Sequence, residues 1–197
     1  MSVTAIFGGT FNPFHIGHYE MLKALESCEN IEKIFIMPDR IPPHKQCDVL
    51  ASDEDRIKMC EIASREFKKA ELCLIEFERE GRSYTYDTVL ELKARYKNEN
   101  FAFVMGGDML IFFEKWYNYE LLLKEIPFIA FKRADTDENE FNNSVERLRA
   151  KGMKLTVMDE IIPCVSSTEI RKNFSESKRL LPQGIYEFLN ERGIYNA

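Results

Sequence analysis

The sequence predicts a doubly wound α/β fold, a Rossmann-like arrangement with a mostly parallel sheet, on three observations. Short apolar runs of strand length alternate with helical patterns along the chain. Those runs are apolar on both faces, as strands covered by helices on both sides must be. Two of them end in glycine pairs, Gly8-Gly9 and Gly106-Gly107. In an open α/β sheet, ligands sit beyond the carboxyl ends of the strands.

Val3 to Phe7 is an apolar run that reads as a buried first strand. From Gly17 the pattern turns helical, with Met21, Leu22 and Leu25 on one face. Ile34 to Met37 is the second strand, stopped by Pro38, and residues 38–51 form a proline-rich loop. Ser52 and the acidic turn Asp53-Glu54-Asp55 start a helix that runs through about Phe67. Leu72 to Ile75 is the third strand. Thr85 to Tyr96 reads as a helix with Val89, Leu90 and Leu92 inward. Phe101 to Met105 is a strand, Trp116 to Lys124 a helix, and Phe128 to Phe131 a strand. Glu138 to Lys151 is a helix and Leu155 to Met158 the last strand. After Pro163 two or three short helical pieces follow. The expected organisation is one domain, 1–197, with a helical C-terminal portion over about 164–197.

Bulk properties exclude several function classes. The net charge of −6 argues against a general nucleic-acid binder. The five cysteines are odd in number and lack Cys-x-x-Cys spacing, which argues against a disulfide framework and for a reducing cytoplasm. The N-terminus is not a signal peptide, and no run approaches the roughly 20 apolar residues of a membrane span.

The chemistry concentrates in Gly8-Gly9-Thr10-Phe11-Asn12-Pro13-Phe14-His15-Ile16-Gly17-His18. A strand ending in glycines and followed by a helix suits a polyphosphate, because the backbone can approach closely and helix N-terminal amides favour anions. His15 and His18 stand three apart, so both imidazoles can face one phosphate chain. A zinc site would want a third ligand, and the remaining histidine, His44, lies in a loop.

Four further segments carry candidate site residues. Pro38 to Lys45 is a stiff loop carrying His44 and Lys45, either over the site or as a surface turn. Glu80 to Thr88 has hydroxyls and an acid that suit capping of the next helix, whose N-terminal amides can hold a carboxylate. Gly106-Gly107-Asp108 offers an acid for ribose hydroxyls. Trp116, the single tryptophan, either stacks on a flat ring or fills the core. Val165 to Arg171 begins a helix with Ser167, Thr168 and Arg171. It reads either as a second anion site or as a cap with a solvated arginine.

The run from Gly8 to His18 resembles the H-x-G-H signature of the nucleotidyltransferase superfamily, shared in looser form with class I aminoacyl-tRNA synthetases. With the other segments, the chain from residue 3 to about residue 190 resembles the nicotinate-nucleotide adenylyltransferase family. The shared patterns are G-G-T-F-[DN]-P-x-H-x-G-H, P-P-H-K, S-Y-T-x-D-T, G-x-D-x-L…W and S-S-T-x-[IV]-R. Two positions depart from the family. Asn12 stands where aspartate is common, and Arg133 is followed by Ala134-Asp135 where the family shows Arg-Pro-Gly.

The resemblance implies adenylyl transfer from ATP to nicotinate mononucleotide, with Mg2+ accompanying the ATP. It implies that His18 stabilises charge at the α-phosphate, that His15 orients the phosphate chain, and that Lys45 reaches the reacting phosphates or the mononucleotide. ATP would contact Gly8, Gly9, Thr10, Phe11, Gly106, Asp108, Ser167, Thr168 and Arg171. The mononucleotide would meet Tyr84, Thr85, Asp108, Trp116 and Arg133, with its carboxylate on backbone amides near Tyr84 and Thr85. The implied partners are these small molecules, with no nucleic acid and no membrane; a homo-oligomer is compatible. The rival acceptors are nicotinamide mononucleotide and phosphopantetheine, and the rival class is a nucleotide sensor without catalysis. A class I synthetase fragment fits less well, since no Lys-Met-Ser-Lys-Ser element is visible.

Overall fold

The computed structural model describes residues 2–40 and 51–195. Its strands are β1 (Val3–Gly9), β2 (Ile31–Pro38), β3 (Ala70–Leu72), β4 (Phe101–Gly106), β5 (Phe128–Arg133) and β6 (Leu155–Ile162). They form one six-stranded sheet in the order β3-β2-β1-β4-β5-β6, and every neighbouring pair is parallel. The helices are α1 (Ile16–Ser27), α2 (Asp53–Ser64), α3 (Thr85–Arg95), α4 (Gly107–Ile111), α5 (Tyr119–Glu125), α6 (Glu138–Ala150), α7 (Ser167–Lys172) and α8 (Gln183–Glu191).

Strand periodicity explains how one sheet serves two cores. Alternate residues of a strand point to opposite faces. Ala5, Phe7, Ile34, Ile36, Ala102 and Val104 enter one cluster with Leu22 and Leu25 of α1, Met59 and Cys60 of α2, and Ile185 and Leu189 of α8. Ile6, Phe35, Met37, Phe101, Phe103 and Met105 enter the other with Val89 and Leu92 of α3, Leu122 of α5, and Phe141 and Leu148 of α6. Each such fully buried aliphatic side chain contributes about 1.5–3 kcal/mol. The chain builds β1, β2 and β3 outward in one direction, then returns to lay β4 beside β1. The reversal between β1 and β4 is a topological switch point, where such sheets open a crevice. Both glycine pairs lie there.

Several local expectations shift. The third strand is Ala70–Leu72, because Ile75–Glu78 winds into a tight 3-10 turn instead of staying extended. α2 stops at Ser64, yet Phe67 remains buried against Tyr19. The helix expected from Trp116 starts at Tyr119. Trp116 is extended, with φ −75° and ψ 147°, and closes the 3-10 turn Phe113–Lys115. The short helix α4 directly after β4 carries no apolar periodicity that would announce it. Leu90 faces outward, 38% exposed, since α3 buries the Val89–Leu92 stripe. Side-chain capping of α3 is absent: Tyr84 is its N-cap, and the Thr88 hydroxyl bonds Glu76 instead. β6 runs on to Ile162, and its exposed Asp159 and Glu160 put charge on this sheet edge.

Candidate active site

A cavity of about 220 Å³ opens at the switch point. Its lining includes Gly8, Gly9, Thr10 and His18 of the first turn, Met37, Asp39 and Glu76, and Ser83, Tyr84 and Thr85. Gly106, Asp108, Met109, Trp116 and Tyr117 also line it.

Beyond Gly9 the chain turns sharply. Phe11 is buried with φ 48°, and the Asn12–Pro13 peptide is cis. The turn is braced from outside. The Asn12 side-chain oxygen accepts from the Ala51 N–H at 3.0 Å and from the Tyr195 hydroxyl. Arg171 donates to the Asn12 carbonyl at 2.7 Å, and the Ser167 hydroxyl donates to the Pro13 carbonyl at 3.1 Å. Thr168 is held by the same guanidinium at 3.2 Å. Ser167 and Arg171 therefore grip the backbone of the turn, Thr168 contacts Arg171, and none of the three lines the cavity itself.

The two histidines divide their positions. His15 is buried and His18 lines the cavity, with the rings stacked 3.7 Å apart at 17°. A Cβ on Gly17 would stand 3.1 Å from the His15 ring, so glycine between the histidines lets His15 fold over the helix start. The His15 backbone N–H donates to Nδ1 of His18 at 3.2 Å. A backbone N–H can only donate, so Nδ1 must accept. The proton of a neutral His18 ring then sits on Nε2, which becomes a hydrogen-bond donor. Phe11 meets the same ring edge-on at 5.1 Å and helps fix its plane.

Helix α3 begins at Thr85, and its first-turn amides lack helical partners by geometry. The Tyr84 N–H itself turns back to the Arg82 carbonyl at 3.1 Å, so Thr85 is the first amide of the helix end proper. The Tyr84 ring packs on Tyr117, centroids 4.5 Å apart. Trp116 lines the cavity and also packs on Phe103 and Phe113, at 5.7 and 5.2 Å, so one ring belongs to both the cavity wall and the core. A Cβ on Gly106 would fall 2.7 Å from Oδ1 of Asp108; glycine makes room for that carboxylate. Arg133, at the end of β5, pairs with Asp108 at 3.8 Å and with Asp135 at 3.2 Å. Asp135, which stands in the segment that departs from the family pattern, thus engages the guanidinium. Lys45 and His44 lie outside the described residues.

Three cavity residues, Asp39, Glu76 and Tyr117, have no place in the sequence reading, nor does Arg56 behind them. Glu76 is 5% exposed, and burial pushes its carboxyl above the ordinary range. The Ser83 and Thr88 hydroxyls pull the other way, and the charge of Asp39 adds to the upward shift. Thr88 donates to its Oε1 at 2.8 Å. The available signal was the pair Glu76-x-x-Arg79 just ahead of the polar segment; the Arg79 guanidinium reaches the Thr88 hydroxyl at 2.5 Å.

The cytidylyltransferase-like family model matches residues 6–173. Curated nicotinate-nucleotide adenylyltransferases of Bacillus cereus (strain B4264) and Bacillus anthracis are 34% identical to this chain over 200 aligned residues, covering 100% of both partners in each case. Among solved structures, the nicotinic acid mononucleotide adenylyltransferase of Plasmodium falciparum, complexed with NaAD, aligns over 100% of this chain and 98% of its own. The TM-score is 0.78 at 22% identity. The same enzyme complexed with APC gives 0.77. At that identity the solved structures speak for the fold.

Proposed function

We infer the reaction from one premise: this chain belongs to the cytidylyltransferase-like family and, within it, to the nicotinate-nucleotide adenylyltransferases. It is an enzyme of adenylyl transfer in NAD biosynthesis. The 5′-phosphate oxygen of nicotinate mononucleotide attacks the α-phosphorus of ATP. A new P–O bond forms as the bond to the β-phosphate oxygen breaks, and pyrophosphate leaves with nicotinate adenine dinucleotide as product. The nucleophile is already an anion, so the step needs positioning and charge stabilisation more than a general base.

The observation that carries the assignment of roles is the His15 N–H to His18 Nδ1 bond. It supports Nε2–H of His18 as the donor to a non-bridging oxygen of the α-phosphate, where charge grows in the transition state. His15 backs that ring and orients it. The amides of Gly8, Gly9, Thr10 and Phe11 take the phosphates, while Ser167 and Arg171, the latter with Thr168 beside it, hold the turn in shape. The Thr10 hydroxyl donates to Asp39 at 2.9 Å, so its contribution to phosphate comes from its backbone. Asp108, beside Gly106, takes ribose hydroxyls. Trp116 stacks on the pyridine ring, and the α3 amides from Thr85, near Tyr84, take its carboxylate. Arg133 is assigned to the mononucleotide, and Lys45, outside the described residues, to the reacting phosphates or the mononucleotide.

A metal-dependent ATP reaction suits the family, and Mg2+ is the ion we propose. The donor set fits an ion bound chiefly by phosphates and water. Both Asp39 oxygens already accept protein hydrogen bonds, and Asp108 is the more exposed carboxylate of the wall. When bound, Mg2+ would neutralise charge on the leaving pyrophosphate. No helix among the described residues is long and apolar enough to cross a membrane; we place the enzyme in the cytoplasm, as a single nucleotidyltransferase domain.

The acceptor decides the reading. Amide donors favour a carboxylate, whereas the N–H groups of nicotinamide would be left unpaired among donors. Phosphopantetheine has no flat ring for Trp116. Pyrophosphate release should be fastest with nicotinate mononucleotide, at least about tenfold above either rival in kcat/KM. Equal or greater turnover with either rival overturns the assignment of the acceptor.

A further inference from the structure

Arg56, in the first turn of α2, heads the large side chains that are fully buried among the described residues. Its guanidinium donates to the carbonyls of Thr10 at 3.0 Å, Asp39 at 2.6 Å and Arg40 at 3.3 Å. It also pairs with the carboxylates of Asp39 at 3.3 Å and Asp53 at 2.6 Å. Thr10 follows β1 and Asp39 follows β2, so one cation ties together the ends of the two strands beneath the phosphate turn. An unpaired charge is not retained in a protein interior, and this one is matched through its two terminal nitrogens by carbonyls and carboxylates, while its buried Nε has no hydrogen-bond partner among the described residues.

The cavity supplies the reason for that placement. Asp39 is part of the wall that also contains Gly8, Gly9, Thr10 and His18. A carboxylate there would repel a triphosphate in surroundings that screen charge poorly. Arg56 lies behind it and opposes that charge. The Thr10 hydroxyl holds the second Asp39 oxygen at 2.9 Å, so both oxygens are turned onto protein donors. Asp53, the other anion on Arg56, is about half exposed, where water attenuates its charge.

We propose that Arg56 is a positioning residue for ATP: it neutralises Asp39 beside the Thr10 turn, so that the triphosphate meets amides and not an unbalanced carboxylate. The proposal rests on the adenylyl-transfer reading of the same pocket. Turnover of the wild-type enzyme with nicotinate mononucleotide tests that reading. ATP binding by calorimetry, without acceptor, tests this one.

Four variants are compared: Arg56→Met, Arg56→Lys, Asp39→Asn and the double variant Arg56→Met/Asp39→Asn. Arg56→Met is expected to weaken ATP binding by about tenfold or more, and more strongly at low salt than at high salt. Arg56→Lys keeps the charge and loses the fork, so it falls between. In the double variant the Asp39 charge is gone as well, and affinity returns to within about threefold of wild type. A purely structural arginine would lower Tm in both Met variants and give no such rescue. If Arg56→Met does not fold, Asp39→Asn decides alone: with Asp39 neutral and Arg56 still paired with Asp53, the cavity lining carries one anion fewer and ATP binding should tighten. Wild-type ATP affinity in a folded Arg56→Met, no recovery in the double variant, or unchanged or weaker binding in Asp39→Asn overturns the proposal.

Discussion

Replacing His18 by asparagine or glutamine separates the two nitrogens of its ring. Asparagine places an oxygen close to where the ring carries Nδ1, so it can keep accepting the His15 N–H that lies at 3.2 Å in the native protein. It offers nothing at the Nε2 position. Glutamine does the reverse, reaching the Nε2 position with an amide donor and leaving the His15 N–H without its ring partner. Loss of one preorganised donor to a charge that develops in the transition state costs about 2.7–4 kcal/mol, or 10²–10³ in turnover. His18→Asn should therefore lose about that factor in kcat, while its KM for ATP moves within about threefold. His18→Gln should retain a measurable part of the rate. The structural cost is separate and small. The asparagine loses ring contacts with His15 at 3.7 Å, Phe11 at 5.1 Å and Phe14 at 5.2 Å. Aromatic contacts of this kind contribute about 0.5–1.5 kcal/mol, which in a chain of this size lowers Tm by roughly 2–4 °C per kcal/mol. Pyrophosphate release at saturating ATP and a thermal melt read the two quantities. A His18→Asn enzyme within tenfold of wild-type kcat would refute the role given to Nε2.

Two further substitutions probe the cavity lining. Gly106→Ala puts a methyl group 2.7 Å from Oδ1 of Asp108 and forces that flexible carboxylate to turn; stability should change by less than about 1 kcal/mol, while KM for the nucleotides rises several-fold, and unchanged kinetics would remove Asp108 from the site. Glu76→Gln keeps an acceptor for Thr88 but cannot ionise. Burial raises the Glu76 pKa above 4.5, so its stabilising contribution is complete below that value and is lost as pH rises through the folded value. The Tm of Glu76→Gln relative to wild type should therefore climb as pH increases from about 4.5 and level off above the folded pKa; a flat difference over that range contradicts the burial argument.

The sequence was most legible where signals are local. Ile34 to Met37 and Phe101 to Met105 announce buried strands because every residue is apolar, and a parallel sheet needs both faces covered. Glu138–Ala150 was legible from its caps and stripe: Asp137 accepts from the Glu140 N–H, while Phe141, Ser144, Val145 and Leu148 are buried. The strand Ala70–Leu72 was misplaced because only three residues pair, and the more apolar Leu74-Ile75 that follows draws the eye. Trp116 lies just before the helix Tyr119–Glu125, and the extended backbone at that residue delivers its ring to the cavity.

For the site, the division runs between residues that present themselves through one turn and residues that balance charge across the fold. Gly8 to His18 is contiguous, so its spacing alone encodes a strand end, a bend and a helix start. Arg56 meets Thr10 across 46 positions and Asp39 across 17, and no periodicity links such residues. Position 12 joins the two cases. The Asn12 side-chain oxygen serves as an acceptor, for Ala51 and Tyr195, and both partners are donors. An amide oxygen meets that need as well as a carboxylate does. Asparagine meets it without adding a further anion two residues from Thr10, whose hydroxyl already holds the Asp39 carboxylate. The departure at Asn12 therefore leaves the brace of the phosphate turn intact and lightens its negative charge, which favours the side on which the triphosphate is proposed to bind.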